Sequence, residues 1–365
     1  MPANGFLSAE LSQVRITRLL SPLAFLAMLL LLNGCGSTHH HFVYAVGTNS
    51  EGIFGFEEAS GGVLSKISGS PFSTGSVPTA VAVTPSRAYA YALSSGGDGI
   101  LAYTCDKSKG GLVAAGGAVA TGSDPVAIAI DPSSQHVYVL NQGSSNISAY
   151  AIDTFNGSLT PISGSPFASI NGPTSMAMSE KGDILYVISP TQGIASFSIK
   201  SDGTLSAAQA AIPAGTSPAF VTVTADNRFV YVADVAGSAV VGFNASGTAL
   251  TAISNGTFAA GTTPIALAVE AQGKFLFVAN QASNNISAFA IGSGGALTQV
   301  SGSPFGAGTA PTFLMVNHDG DHLYVADRDS GDIGNFSISG SGSLTSASGS
   351  PITLGMAPIW IAVTD

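Results

Sequence analysis

The sequence predicts an all-β chain folded as a seven-bladed β-propeller, and three observations predict it. A proline followed by a short apolar run recurs at Pro78, Pro125, Pro173, Pro218, Pro264, Pro311 and Pro358, at successive spacings of 47, 48, 45, 46, 47 and 47 residues. A period of this size marks a chain of stacked supersecondary units. Each unit is written in β-forming runs with no helical period, as expected for four-stranded blades around a channel. Finally, the two ends of the chain are complementary fragments of one unit.

Residues 125–167 show how a unit is built. Residues 125–130 form an apolar inner strand, and Asp131-Pro132-Ser133-Ser134 is a turn with proline at its favoured second position. Residues 136–140 form a second strand rich in β-branched and aromatic side chains. A polar turn, 141–146, leads to a third strand, 147–152, that alternates apolar and polar. Asn156-Gly157 is a hairpin signal. The short outer strand 159–162 tolerates Pro161 because an edge needs no donor on its open side.

The pattern recurs around the ring. Second strands carry Tyr44, Tyr91, Tyr138, Tyr186, Tyr231, Phe277 and Tyr324, and outer strands are announced by Gly62, Gly111, Gly157, Gly203, Gly247, Gly295 and Gly342. Ser-Gly-Ser-Pro-Phe at 68–72, 163–167 and 301–305, with Ser-Gly-Ser-Pro-Ile at 348–352, reads as a structural connection. Residues 42–46 begin on a second strand, whereas 359–364 form an inner strand with nothing after it. Pairing the two closes the ring and hides both edges.

Composition narrows the function. A formal charge of −10 with no basic stripe argues against a nucleic-acid partner. Two cysteines cannot form a disulfide framework, and Cys105, in an apolar-alternating strand, reads as a buried small residue. Arg15 and Arg18 precede an apolar run over 19–32, which has the length of a signal h-region rather than a membrane span. The run ends in Leu32-Asn33-Gly34-Cys35, which resembles a bacterial lipobox. The expected organisation is a signal peptide at 1–34, a lipidated Cys35 with a tether at 35–41, and the propeller at 42–365. Cys35 would then be the membrane partner, placing the chain in a bacterial cell envelope, on the outer membrane or facing the periplasm.

Phe229-Val-Tyr-Val-Ala-Asp234 and His136-Val-Tyr-Val-Leu-Asn141 resemble the repeats of YVTN-type propellers and of the seven-bladed lactonase family that includes 6-phosphogluconolactonases. The resemblance spans residues 42–365 and implies the propeller fold and lactone hydrolysis. It also implies His and Arg just after the repeat prolines. Here those positions read Thr79-Ala80, Val126-Ala127, Thr174-Ser175, Ala219-Phe220, Ile265-Ala266, Thr312-Phe313 and Ile359-Trp360.

Chain direction places the Gly-Xaa-Xaa-Pro loops that lead into inner strands on the same face as the ends of the second strands. Asn141, Asp234, Asn280 and Asp327 fall there, with Asp98, Asp124 and Arg328 nearby. Such a ring could bind a neutral glycan, a peptide or a protein; equally, its Asn and Asp side chains could satisfy turn backbone groups. Asp327, Asp329 and Asp332 have a calcium-like density without an EF-hand pattern, and no cofactor is implied. Residues 318–322 read as a turn. The sequence thus favours a lipid-anchored binding module. A lactone hydrolase is the alternative, and a structural envelope protein a second one.

Overall fold

The computed structural model describes residues 40–59, 61–94 and 96–364. The described residues form seven antiparallel sheets and no helix. Numbering blades from the N-terminus, the inner strands are Ala357–Val363, Pro78–Val83, Pro125–Ile130, Ser175–Met178, Pro218–Val223, Pro264–Val269 and Pro311–Val316. In five blades the outer position is filled by two short strands, both paired with the third strand. The Ser-Gly-Ser-Pro phrase makes that break in four of these blades. Its second serine accepts the amide of Gly55, Ala149, Ala288 or Asn335 at 2.8–2.9 Å, filling a gap in the ladder. Blade four keeps three regular strands and two isolated bridges, and blade five has one long outer strand, Ala249–Ala259.

The ring closes as the two chain ends predict. His41–Thr48, beginning one residue before the expected boundary, pairs antiparallel with Ala357–Val363. Beyond that ladder, Phe42 and Thr364 exchange two further hydrogen bonds, both 2.9 Å.

The repeated tyrosine and glycine are two halves of one joint. Tyr44, Tyr91, Tyr138, Tyr186 and Tyr231 are buried, and each donates its hydroxyl to a glycine carbonyl of the next blade: Gly110, Gly157, Gly203, Gly247 and Gly295. In blade two the joint uses Gly110, not the expected Gly111. At Gly157 the backbone φ is +77°, and an added Cβ would lie 2.4 Å from the Tyr89 ring. Both facts select glycine.

Each gap between neighbouring blades holds one hydrophobic wedge. Trp360 packs against the wedges from blades seven/one round to three/four, and Phe220 against those from five/six to seven/one. Side chains that reach so many wedges can only stand on the ring axis. Phe313 joins them, stacked on Trp360 at 4.4 Å and edge-on to Phe220 at 5.7 Å. The Trp360 indole N–H donates to the Val81 carbonyl at 2.9 Å. This aromatic plug crosses the channel at the second residue after each of three repeat prolines.

Cys105 is free and half-buried, and burial pushes its thiol up to about 12. A thiol so disposed is not an activated nucleophile.

Candidate active site

The plug divides the channel into two ends. On the lead-in side, the ladder in blades two, three, five, six and seven shifts register just after the proline, which has no N–H to offer. The residue after the proline is therefore freed from pairing and stands at the inner wall. These residues are Thr79, Val126, Ala219, Ile265 and Thr312, all half-buried, as are Thr174 and Ile359 of blades four and one. Thr79 and Thr312 donate to the carbonyls of Pro125 and Pro358 on the neighbouring inner strands, at 3.3 and 3.1 Å. The Thr174 hydroxyl is buried without a partner. This wall is neutral, with three hydroxyls.

Around it lie the residues expected to bind ligand, but not with free side chains. Asn141, Asp234, Asn280 and Asp327 are all buried. Asp234 accepts the amides of Thr216 and Ser217 at 2.9 and 2.7 Å. Asn280 accepts the Gly261 amide and donates to Asn285 and Ser287, and Asn141 donates to Asn146 and Ser148. Asp234 and Asn280 fasten lead-in loops through backbone amides, and Asn141 and Asn280 fasten second-to-third turns through side-chain bonds, with Asn141 Oδ1 buried and unbonded.

Asp327 differs. Neither of its carboxylate oxygens has a hydrogen bond of normal geometry. Burial, then the nearby Asp332 carboxylate, pushes it up to about 7, partly offset by the amides of Gly308 and Gly334. Asp329 points away into solvent, paired with Arg328 at 2.7 Å, which holds the carboxyl below its usual range. The three aspartates thus do not converge as calcium ligands. Among the described residues no group of three His, Cys, Asp or Glu side chains could hold a metal.

Two exposed aspartates on this face, Asp98 and Asp124, are joined through a backbone amide. The Asp124 amide donates to the Asp98 carboxylate at 3.0 Å, across the boundary between blades two and three. Both residues have positive φ, 43° and 52°. No sequence motif links them; the contact comes from one turn resting on the next lead-in loop.

The opposite end of the channel is a funnel of about 530 Å³, walled by the ends of the inner strands at Ile130, Met178, Val269, Val316 and Val363, with Glu180 and His318 on its lining. Residues 318–321 form the expected turn, whereas His322 is buried at the start of a strand; His136 and Asp131 are tied into another turn, with Asp131 accepting the amides of Gln135 and His136. The expected signal peptide, Cys35 and most of the tether lie outside the described residues.

A closed ring of seven antiparallel sheets defines the class, a seven-bladed β-propeller. The chain belongs to the family described as lactonase, 7-bladed beta-propeller, which matches residues 60–169, 163–252 and 246–363. No curated protein matches it. Among solved structures, a proposed 6-phosphogluconolactonase of Bacteroides uniformis is 20% identical, with 89% of this chain and 99% of that chain covered and a TM-score of 0.77. A second, from Bacteroides fragilis, is 19% identical over 91% and 99%, with a TM-score of 0.78. The periplasmic gluconolactonase of Pseudomonas aeruginosa is 18% identical over 89% and 99%, with a TM-score of 0.73. At such identities these three structures share the fold. Family membership overturns the expectation of a binding module drawn from the missing His and Arg: the lactone-hydrolase alternative is the reading it supports. Two residues after a proline are too narrow a window on a site assembled from seven loops.

Proposed function

We propose that this chain hydrolyses the cyclic ester of a sugar-acid lactone, at the mouth formed by the lead-in loops, and that it favours lactones without phosphate. The observation that carries the reading is the family match, which runs from residue 60 to residue 363. In the reaction the oxygen of water bonds to the lactone carbonyl carbon, the ring C–O bond breaks, and the released ring oxygen takes a proton, leaving a hydroxy acid. The exposed carboxylates of Asp98 and Asp124, brought to one blade boundary by the bond from the Asp124 amide, are suited to accept the water proton. The Thr79 and Thr312 hydroxyls, which donate within the wall, are left to accept from a polyol ring. A neutral wall and an acidic rim, with the Arg328 charge engaged by Asp329, repel a phosphate.

The purified protein is assayed with glucono-delta-lactone and with 6-phosphogluconolactone against buffer alone. Saturable turnover is expected, faster on the unphosphorylated lactone. Asp124→Asn, which tolerates the positive φ, is expected to lower kcat by about 100-fold. Buffer-level rates on both lactones would sink the hydrolase reading, and a preference for the phosphorylated one would sink the substrate assignment alone.

A further inference from the structure

Blades three, six and seven fasten the same turn in the same place with different chemistry. In blade three Asn141 stands opposite Asn146 in the ladder, and its amide donates to Asn146 at 2.7 Å and to Ser148 at 3.0 Å. Blade six repeats this with Asn280, Asn285 and Ser287, at 2.8 and 2.9 Å. One amide N–H₂ thus holds two acceptors. In blade seven the three positions are Asp327, Asp332 and Gly334. The donor has become a carboxyl, its opposite number is a carboxyl, and the serine is gone. Asp327 is completely buried, and both its oxygens and Asp332 Oδ1 are buried without hydrogen bonds of normal geometry.

Two ionised carboxylates cannot occupy such a place without a compensating group, because they would repel each other in a site shut off from water. Ser330 bonds Asp332, and the Gly308 and Gly334 amides lie against Asp327, but no cationic side chain neutralises the pair. The loops packed against the pair, 306–310 and 352–357, contain no titratable residue. On the turn itself Arg328 and Asp329 neutralise each other in solvent.

We propose that Asp327 and Asp332 share one proton, which takes the place of the missing amide, so that the turn 327–332 is clasped while the proton is held and released when it leaves. The proton sits on Asp327 and is donated to Asp332, as the Asn141 amide is donated to Asn146. The clasp fastens a turn at the mouth of the channel, so it is a pH-sensitive device on the substrate-facing side of the ring, independent of whether that face hydrolyses a lactone. The direction follows from linkage. Asp327 binds its proton more tightly folded than unfolded, with burial and Asp332 pushing it up to about 7. Its contribution to stability is therefore complete in acid, declines as the pH rises above the ordinary carboxylate value, and is gone above about 7.

The test is the thermal midpoint of the full chain from pH 5 to pH 8, compared with Asp327→Asn. The variant supplies a permanent amide donor to Asp332. The wild type is expected to lose several degrees more than the variant across this range, because every other titrating group is common to both. Parallel profiles would overturn the proposal. Calcium chloride added at pH 8 is the second arm: restoration of the lost degrees, reversed by EDTA, would assign the pair to a cation and overturn the proton. Should Asp327→Asn fail to fold, Asp332→Asn replaces it, since the amide it introduces can donate to the Asp327 carboxylate; a full wild-type pH dependence there would count equally against the shared proton.

Discussion

The regular junctions between blades and the seam between blade seven and blade one, the blade that the two chain ends build together, solve the same packing problem differently. At five junctions a tyrosine hydroxyl is bonded to a glycine carbonyl of the following blade. At the seam the corresponding carbonyl, Gly62, is taken instead by the Asn335 side chain. Tyr324 is left with its hydroxyl buried and without a hydrogen bond of normal geometry. Burial and the neighbouring Glu58 carboxylate push that phenol well above its usual value. Blade one is held by other means: strand pairing between His41–Thr48 and Ala357–Val363, and the Trp360 ring that the last strand delivers to the axis. The lesson is that repeat joints are interchangeable, whereas the closing strand is both a ladder and a plug.

The most damaging way to break the comparison is therefore at the seam strand. Deleting residues 358–365 removes the ladder partner of the first strand together with Trp360. The first strand is left with an open edge, and the channel keeps only Phe220 and Phe313 of its plug. The truncated chain is expected to show no cooperative thermal transition by circular dichroism, and a transition matching that of the full chain would refute the closure account.

A regular joint should fail more gently. Gly157→Ala places a Cβ 2.4 Å from the Tyr89 ring at a backbone φ of +77°. Left-handed strain and local overpacking together are expected to cost about 3 kcal/mol. Urea unfolding should show a lower midpoint with an unchanged slope. A change below about 0.5 kcal/mol, the size of an ordinary surface substitution, would mean that the joint relaxes freely.

Most of this fold could be read in the sequence because its signals are local and repeated. The prolines mark where each inner strand begins, the tyrosines mark buried second strands, and the end fragments identify their own partner. Blade four hid its missing outer strand because residues 203–212 still carry a turn glycine and apolar residues; only the two isolated bridges reveal the irregularity. The joint at Gly110 was legible to within one residue, since neighbouring glycines at 110 and 111 look alike until φ is known. The site was much less legible. Asn141 and Asn280 were recognisable as residues at strand ends, but whether an amide faces solvent or its own turn depends on contacts five to nineteen residues away. Asp98 and Asp124 meet across a blade boundary, and the role of Trp360 depends on strands that are remote in sequence. No motif encodes such encounters.

The smallest expected effect gives the sharpest contrast, because it makes the same chemical change on both sides of the comparison. Tyr138→Phe deletes a hydroxyl that donates to the Gly203 carbonyl at 2.9 Å. It leaves that carbonyl without its donor inside a joint, which is expected to cost about 1–2 kcal/mol. Tyr324→Phe deletes a hydroxyl that is completely buried and makes no hydrogen bond of normal geometry. Removing it relieves the desolvation of a hydroxyl that has the Glu58 carboxylate beside it but no hydrogen bond of normal geometry, and the Gly62 carbonyl keeps its Asn335 donor. Stability should be unchanged or rise by up to about 1 kcal/mol. Blade six already contains a natural version of this state, since Phe277 occupies the tyrosine position there and is fully buried. Chemical denaturation of the two variants side by side measures the difference. Equal losses would mean that the Tyr324 hydroxyl is satisfied after all and that the seam is jointed like the rest of the ring.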